Sequence, residues 1–157
     1  VKERHSVSTA AEVLAGKAPP QVEVRGWVAR KHTVGGLLFA LIRDGTGYVQ
    51  ISARRGTSDS AYDAAKEATK ESAVIVRGSV RDDRRAPGGK EIAATDFEVV
   101  SLAENWPITR TAARSPGYLF DKRHLSIRGP KAIAAMRIRA EVIGAAFDYF
   151  RETGFQL

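Results

Sequence analysis

The sequence predicts a mainly β chain: a five-stranded barrel with one inter-strand helix, followed by a linker and a long α-helix. Three observations predict it. Between residues 20 and 103, apolar side chains recur at every second position in short runs bounded by Gly, Pro and Asp. An Ala-rich, charged stretch interrupts these runs after the third. Beyond residue 130 the apolar period lengthens to that of a helix.

Thr9 and Glu12 have the spacing of a capping box, and Gly16 follows, so a short helix is expected over 9–15. Pro19-Pro20 breaks the chain. Val22, Val24, Gly26 and Val28 then alternate with Glu23, Arg25, Trp27 and Ala29, as a half-buried strand requires. Gly35-Gly36 turns it into a second strand, Leu37 to Arg43. Asp44-Gly45-Thr46-Gly47 is a hairpin signal before a third strand, Tyr48 to Ala53. Asp59 to Glu71 carries helical charge spacing. Ala73 to Val80 and Glu91 to Val100 supply two further strands around the turn at Ala86-Pro87-Gly88-Gly89.

Three strands, a helix and two strands within about 80 residues is the element order of an OB-fold, a small Greek-key barrel. Such barrels bind oligonucleotides or oligosaccharides across their second and third strands and adjoining loops. Residues 104–120 hold two prolines and no periodicity, which predicts a connector. Ile133, Met136, Ala140, Ile143, Phe147 and Phe150 then form one helical stripe between Gly129-Pro130 and Gly154. A stripe of this kind needs a surface to cover it, and Leu157 falls where a new strand would begin, so truncation is expected.

Composition narrows the function. The 157 residues include no cysteine, which excludes a disulfide framework, thiolate zinc sites and a Cys nucleophile. No apolar run approaches a membrane span and no signal-peptide core opens the chain, so a cytoplasmic protein without membrane contact is the default expectation. Net charge is +7, from 25 Lys plus Arg against 18 Asp plus Glu. One local excess stands out. Between Arg25 and Arg55 lie six basic residues (Arg25, Arg30, Lys31, Arg43, Arg54, Arg55) and one acid, Asp44. Arg25, Lys31, Arg54 and Arg55 are candidates for contacting a phosphate backbone.

If Leu38, Ala40 and Ile42 fill the barrel, Phe39 lies on its outside; Val49, Ile51 and Ala53 inward likewise place Gln50 outward. An exposed aromatic stacks on a base while an amide reads a base edge. The alternation also admits a slip of one residue that buries Phe39, so spacing leaves both placements open. His5, His32 and His124 lack a metal-ligand spacing, and Asp82-Asp83 suits turn initiation. Gly35-Gly36 and Gly88-Gly89 lack the Lys-Ser/Thr of a phosphate loop. No constellation for acid–base, nucleophilic or metal-assisted catalysis is visible.

Gly26-Trp27-Val28, the series Leu38-Phe39, Ile42-Arg43-Asp44 and Gly47-Tyr48-Val49-Gln50, and Arg77-Gly78-Ser79-Val80 resemble the anticodon-binding domain of class IIb aminoacyl-tRNA synthetases. Asp121 through Arg128 looks like the start of that family's catalytic domain, and Met136 through Phe155 like its motif 1 helix. Glu71 to Gly78 and Arg85 to Gly89 look most like the asparaginyl enzymes of the archaeal and eukaryotic type. The resemblance implies an anticodon-binding domain over 1–103, a hinge over 104–122 and the start of an α/β catalytic domain over 123–157. It implies that Phe39 faces outward and stacks on the middle anticodon base, that Gln50 bonds the same base, and that Glu91 contributes to reading the third. Arg30 and His32 stand at family positions near the anticodon, and Ser52 where relatives place a second aromatic.

The family dimerises through motif 1, which implies a homodimer interface at Met136, Ala140, Ile143, Phe147 and Phe150. It also implies that ATP and Mg²⁺ serve the parent enzyme, with no cofactor or catalytic residue in this chain and no activity of the chain alone. The implied partner is a tRNA with an asparagine-type anticodon. Two alternatives stand beside this reading: an aspartyl enzyme of mixed Asp/Asn tRNA specificity, and an OB module that binds single-stranded nucleic acid without sequence choice. A third treats the barrel as scaffold and residues 130–153 as a dimerising segment.

Overall fold

The computed structural model describes residues 6–109, 111 and 115–156, so His5 lies outside the described residues. The chain divides into two compact units, Val1–Trp106 and Pro107–Leu157. The first unit opens with β1 (Ser6–Val7), a two-residue strand that the alternation did not show. It is too short to display a period, and it pairs parallel to the next strand. Helix α1 (Ala10–Leu14) follows, held by the expected capping box: Thr9 accepts from the Glu12 N–H while Glu12 accepts from the Thr9 N–H.

The remaining strands are β2 (Gln21–Val34), β3 (Leu37–Arg43), β4 (Tyr48–Arg54), β5 (Ala73–Asp82) and β6 (Lys90–Ser101), with α2 (Asp59–Glu67) between β4 and β5. Strand β2 pairs antiparallel with β3, and β3 antiparallel with β4. Strand β4 runs parallel to β6, β6 antiparallel to β5, and β5 antiparallel to β2. The pairings therefore return to the strand from which they started, and these five strands close a ring. β1 adds a sixth strand at β2. Helix α2 ends at Glu67, four residues short of the expected Glu71, because Ser72 Oγ captures the Thr69 N–H at 3.1 Å and turns the chain toward β5.

Inside the ring lie Val22, Val24, Val28, Leu38, Ile42, Val49, Ile51, Val74, Val76 and Ile92, all essentially inaccessible. Burying each such side chain stabilises the fold by about 1.5–3 kcal/mol. Two glycines permit the strands to close. A Cβ on Gly26 would lie 2.3 Å from the Arg43 carbonyl oxygen, and one on Gly78 would lie 2.1 Å from that of Ala93. Only hydrogen fits there. Beside the first of these contacts, Arg43 donates to both carboxylate oxygens of Glu71, at 3.0 and 2.7 Å. Burial disfavours the charged Arg43, and this two-point bond outweighs it, so its pKa rises. Glu71 takes φ 71°, a left-handed conformation that costs a non-glycine residue about 1 kcal/mol or more.

The second unit contains α3 (Pro116–Asp121), α4 (Arg123–Ser126) and α5 (Pro130–Glu152). Helix α3 falls inside the stretch expected to be a structureless connector. Ser115 caps it by accepting from the Tyr118 N–H, and Pro116 sits where its missing N–H costs nothing. That cap-and-proline pair is a start signal that lack of periodicity had masked. Helix α5 matches its expected limits, from Gly129-Pro130 to the turn at Gly154. Along its stripe Met136, Ile143, Phe147 and Phe150 are each more than 40% exposed.

Candidate nucleic-acid interface

The cross-strand register assembles a surface on the outside of β2, β3, β4 and β6. In one row His32 is opposite Phe39, and Phe39 is opposite Ser52. In the next, Arg30 is opposite Leu41, Leu41 opposite Gln50, and Gln50 opposite Glu91. Cross-strand partners share a face, so the five expected anticodon-binding positions lie on one surface. The placement of Phe39 is resolved as well: Leu38, Ala40 and Ile42 are buried, while Phe39 is half-buried outside them.

A β-bulge between Val28 and Arg30 decides which basic residues join this surface. Strict alternation from Val22, Val24 and Val28 would turn Arg30 and His32 inward and Lys31 outward. The extra residue reverses that parity. Arg30 and His32 consequently reach the outer face, and Lys31 pairs with interior Ala40. Its ammonium donates to the carbonyls of Ala65 and Lys66, where the last turn of α2 carries the negative end of the helix dipole. Burial pushes the Lys31 pKa down. Lys31, expected as a phosphate contact, therefore has its ammonium engaged in securing the end of α2.

Arg25 is exposed and engaged in a surface ion cluster. Its Nε donates to Glu23 at 2.7 Å, and Arg77 Nε donates to the other oxygen of the same carboxylate at 2.7 Å. The buried Glu23 carboxylate is disfavoured by desolvation, yet the two guanidinium bonds hold its pKa below the usual range. Arg25 thus belongs to an ion cluster with Glu23 and Arg77. Arg54 and Arg55 are exposed where β4 ends, and the Arg55 guanidinium lies over the Tyr62 ring, 5.5 Å from its centre.

On the surface itself, His32 stacks against Phe39 with ring centroids 5.2 Å apart and planes inclined by 23°. This partly covers one face of Phe39 and enlarges the platform on which a base can stack. Gln50 Nε2 donates to Glu91 Oε2 at 3.1 Å, and Ser52 Oγ donates to Glu91 Oε1 at 2.9 Å. Glu91 is itself buried, so both of its oxygens are satisfied by the two neighbours that flank it. Arg81 lies opposite Glu91 on the same face and extends the row onto β5. Arg81 belongs to none of the motifs visible in the sequence; the outward series Arg77, Ser79, Arg81 along its strand is the signal that marks it. An aromatic platform, an amide and flanking guanidinium groups are the parts needed to stack a base, read its edge and hold its phosphate.

Residues 22–100 match the family of OB-fold nucleic acid binding domains. The chain belongs to that family. The match spans β2 to β6 and so includes every position of the two rows. Among curated relatives, the asparagine–tRNA ligase of Symbiobacterium thermophilum is 42% identical over 137 residues, which is 87% of this chain and 31% of that protein. The corresponding ligase of Koribacter versatilis is 39% identical over 160 residues, covering 99% of this chain and 36% of its own. Among solved structures, asparaginyl-tRNA synthetase from Pyrococcus horikoshii superposes with a TM-score of 0.86 at 35% identity. It covers 96% of this chain and 35% of its own. This OB-fold chain therefore spans about a third of the length of the relatives it matches. An aspartyl-tRNA synthetase from Entamoeba histolytica shares the fold alone, at 20% identity and a TM-score of 0.77.

Proposed function

We propose that this OB-fold domain reads the anticodon of an asparagine-type tRNA as part of an asparagine–tRNA ligase. The observation that carries the reading is the pair of rows His32–Phe39–Ser52 and Arg30–Leu41–Gln50–Glu91 on the outer sheet face. Phe39, backed by His32, stacks the middle base, and Gln50 bonds its edge. Glu91 stands toward the third base, and Arg30, Arg54 and Arg55 approach the phosphate backbone. The likeness to asparagine–tRNA ligases at 35–42% identity supports this tRNA over its aspartate counterpart.

In the parent enzyme, ATP and Mg²⁺ serve activation of asparagine, and the exposed stripe Met136, Ala140, Ile143, Phe147 and Phe150 forms a homodimer contact. The setting is the cytoplasm. Among the described residues no helix is long and apolar enough to cross a membrane. The chain by itself is expected to show no aminoacylation; turnover with ATP, asparagine and tRNA contradicts that.

Titration with RNA stem-loops carrying GUU, GUC or an unrelated triplet tests the reading. GUU should bind about tenfold or more tighter than either competitor, the scale of one mismatched base. Equal, strongly salt-dependent binding of all three would instead mark a non-specific single-strand binder.

A further inference from the structure

The Gln50–Glu91–Ser52 cluster carries an inference that rests on Gln50 reading the middle base and adds what orients it. A carboxylate only accepts hydrogen bonds, so the end of the Gln50 amide that faces Glu91 Oε2 is its NH₂ group. Among the described residues no hydrogen bond engages Gln50 Oε1. Glu91 in turn cannot swing away easily: Ser52 Oγ holds its other oxygen at 2.9 Å, and the residue is only 8% exposed. The parallel register of Gln50 with Glu91, and of Ser52 with Ala93, fixes the three side chains at neighbouring points on the two strands.

We propose that Glu91 is a specificity-determining positioning residue: by holding the Gln50 NH₂ group it turns the Gln50 carbonyl outward, so the site demands a hydrogen-bond donor on the base. Uracil offers N3–H and satisfies that acceptor. Cytosine places a lone pair at the same ring position, and two acceptors then face each other across a desolvated contact. An untethered amide rotates to meet either base and does not discriminate. Glu91 therefore acts on selection of the middle base through Gln50, whatever it contributes to the third.

The test uses the full 157-residue chain and two stem-loops differing only in the middle anticodon base, uracil or cytosine. The unaltered chain should favour uracil by about tenfold, and Glu91→Gln, whose amide offers Gln50 both a donor and an acceptor, should reduce the preference to threefold or less. Gln50→Ala separates the possible failures. Loss of the preference in Gln50→Ala but not in Glu91→Gln overturns the tether while sparing the reading. Retention of the preference in both overturns the reading and the tether together. A measurement on the unaltered protein guards against misfolding of the variants. Side-chain amide relaxation of Gln50 should give an order parameter above about 0.8 before RNA is added, and a value below about 0.6 marks a freely moving amide and overturns the proposal.

Discussion

The closed ring and helix α5 carry apolar side chains in similar proportion and treat them in opposite ways. In the ring, Ile42, Ile51 and Ile92 are inaccessible. In α5, Ile138, Ile143 and Phe147 stand 45% or more exposed. Both segments follow a regular apolar period, so periodicity alone predicts a buried face for each. The ring supplies its own cover because its pairings close; a single helix cannot. A period states which side wants burial, and only topology states whether the chain provides it.

Equivalent truncations should expose this difference most strongly. Ile51→Ala removes buried contacts on all sides and should cost about 2–5 kcal/mol in chemical denaturation. Ile143→Ala should change the stability of the monomeric chain by less than about 0.5 kcal/mol. Near-equal losses at the two sites would mean that α5 is covered in solution.

Next in size is the junction of β3 with the approach to β5. Glu71→Ala strands the buried Arg43 guanidinium, and removing one member of a buried pair costs about 3–5 kcal/mol. Partial exposure, 11% for Arg43 and 6% for Glu71, places the expected loss toward the lower end. A loss under about 1 kcal/mol would mean that water reaches the Arg43 guanidinium and replaces the bond.

Smaller again is the acid response of the ring. Asp44 accepts from the Ala10 N–H at 2.7 Å and from the Thr46 and Gly47 N–H groups, joining α1 to the β3–β4 turn. Burial disfavours its carboxylate, but these bonds prevail and its pKa lies below the ordinary Asp value. A depressed folded-state pKa contributes stability that is present above about pH 4 and lost as pH falls through the folded value. Asp44→Asn should cost about 1–2 kcal/mol at pH 7 and progressively less as the pH falls below 4. A loss that stays constant with pH would assign the effect to shape and not to charge.

How much of this was legible follows from distance along the chain. The strands β3 and β4 were legible because alternation is local, as were the α1 capping box and the limits of α5. Which set of β3 and β4 side chains faces inward was not, since a slip of one residue exchanges the two sets. The bulge after Val28 was not, since one inserted residue leaves composition unchanged while reversing the faces of Arg30, Lys31 and His32. Nor was the destination of Lys31, whose carbonyl partners lie 34 and 35 positions away. The resemblance brought Phe39, Gln50 and Glu91 together as a site. The bonds linking Gln50 and Ser52 to Glu91 span 41 and 39 positions and depend on a parallel pairing that no local pattern encodes.

The central claim is that the outer face of the ring binds RNA bases, and Phe39→Ala tests it most directly. Phe39 lies outside the buried core, so its loss should leave the melting temperature within about 2 °C of the unaltered chain. Affinity for the GUU stem-loop should fall about tenfold to a hundredfold, the range expected for one base–aromatic stack. Unchanged affinity, or a fall in melting temperature large enough to account for the lost binding, would contradict the account.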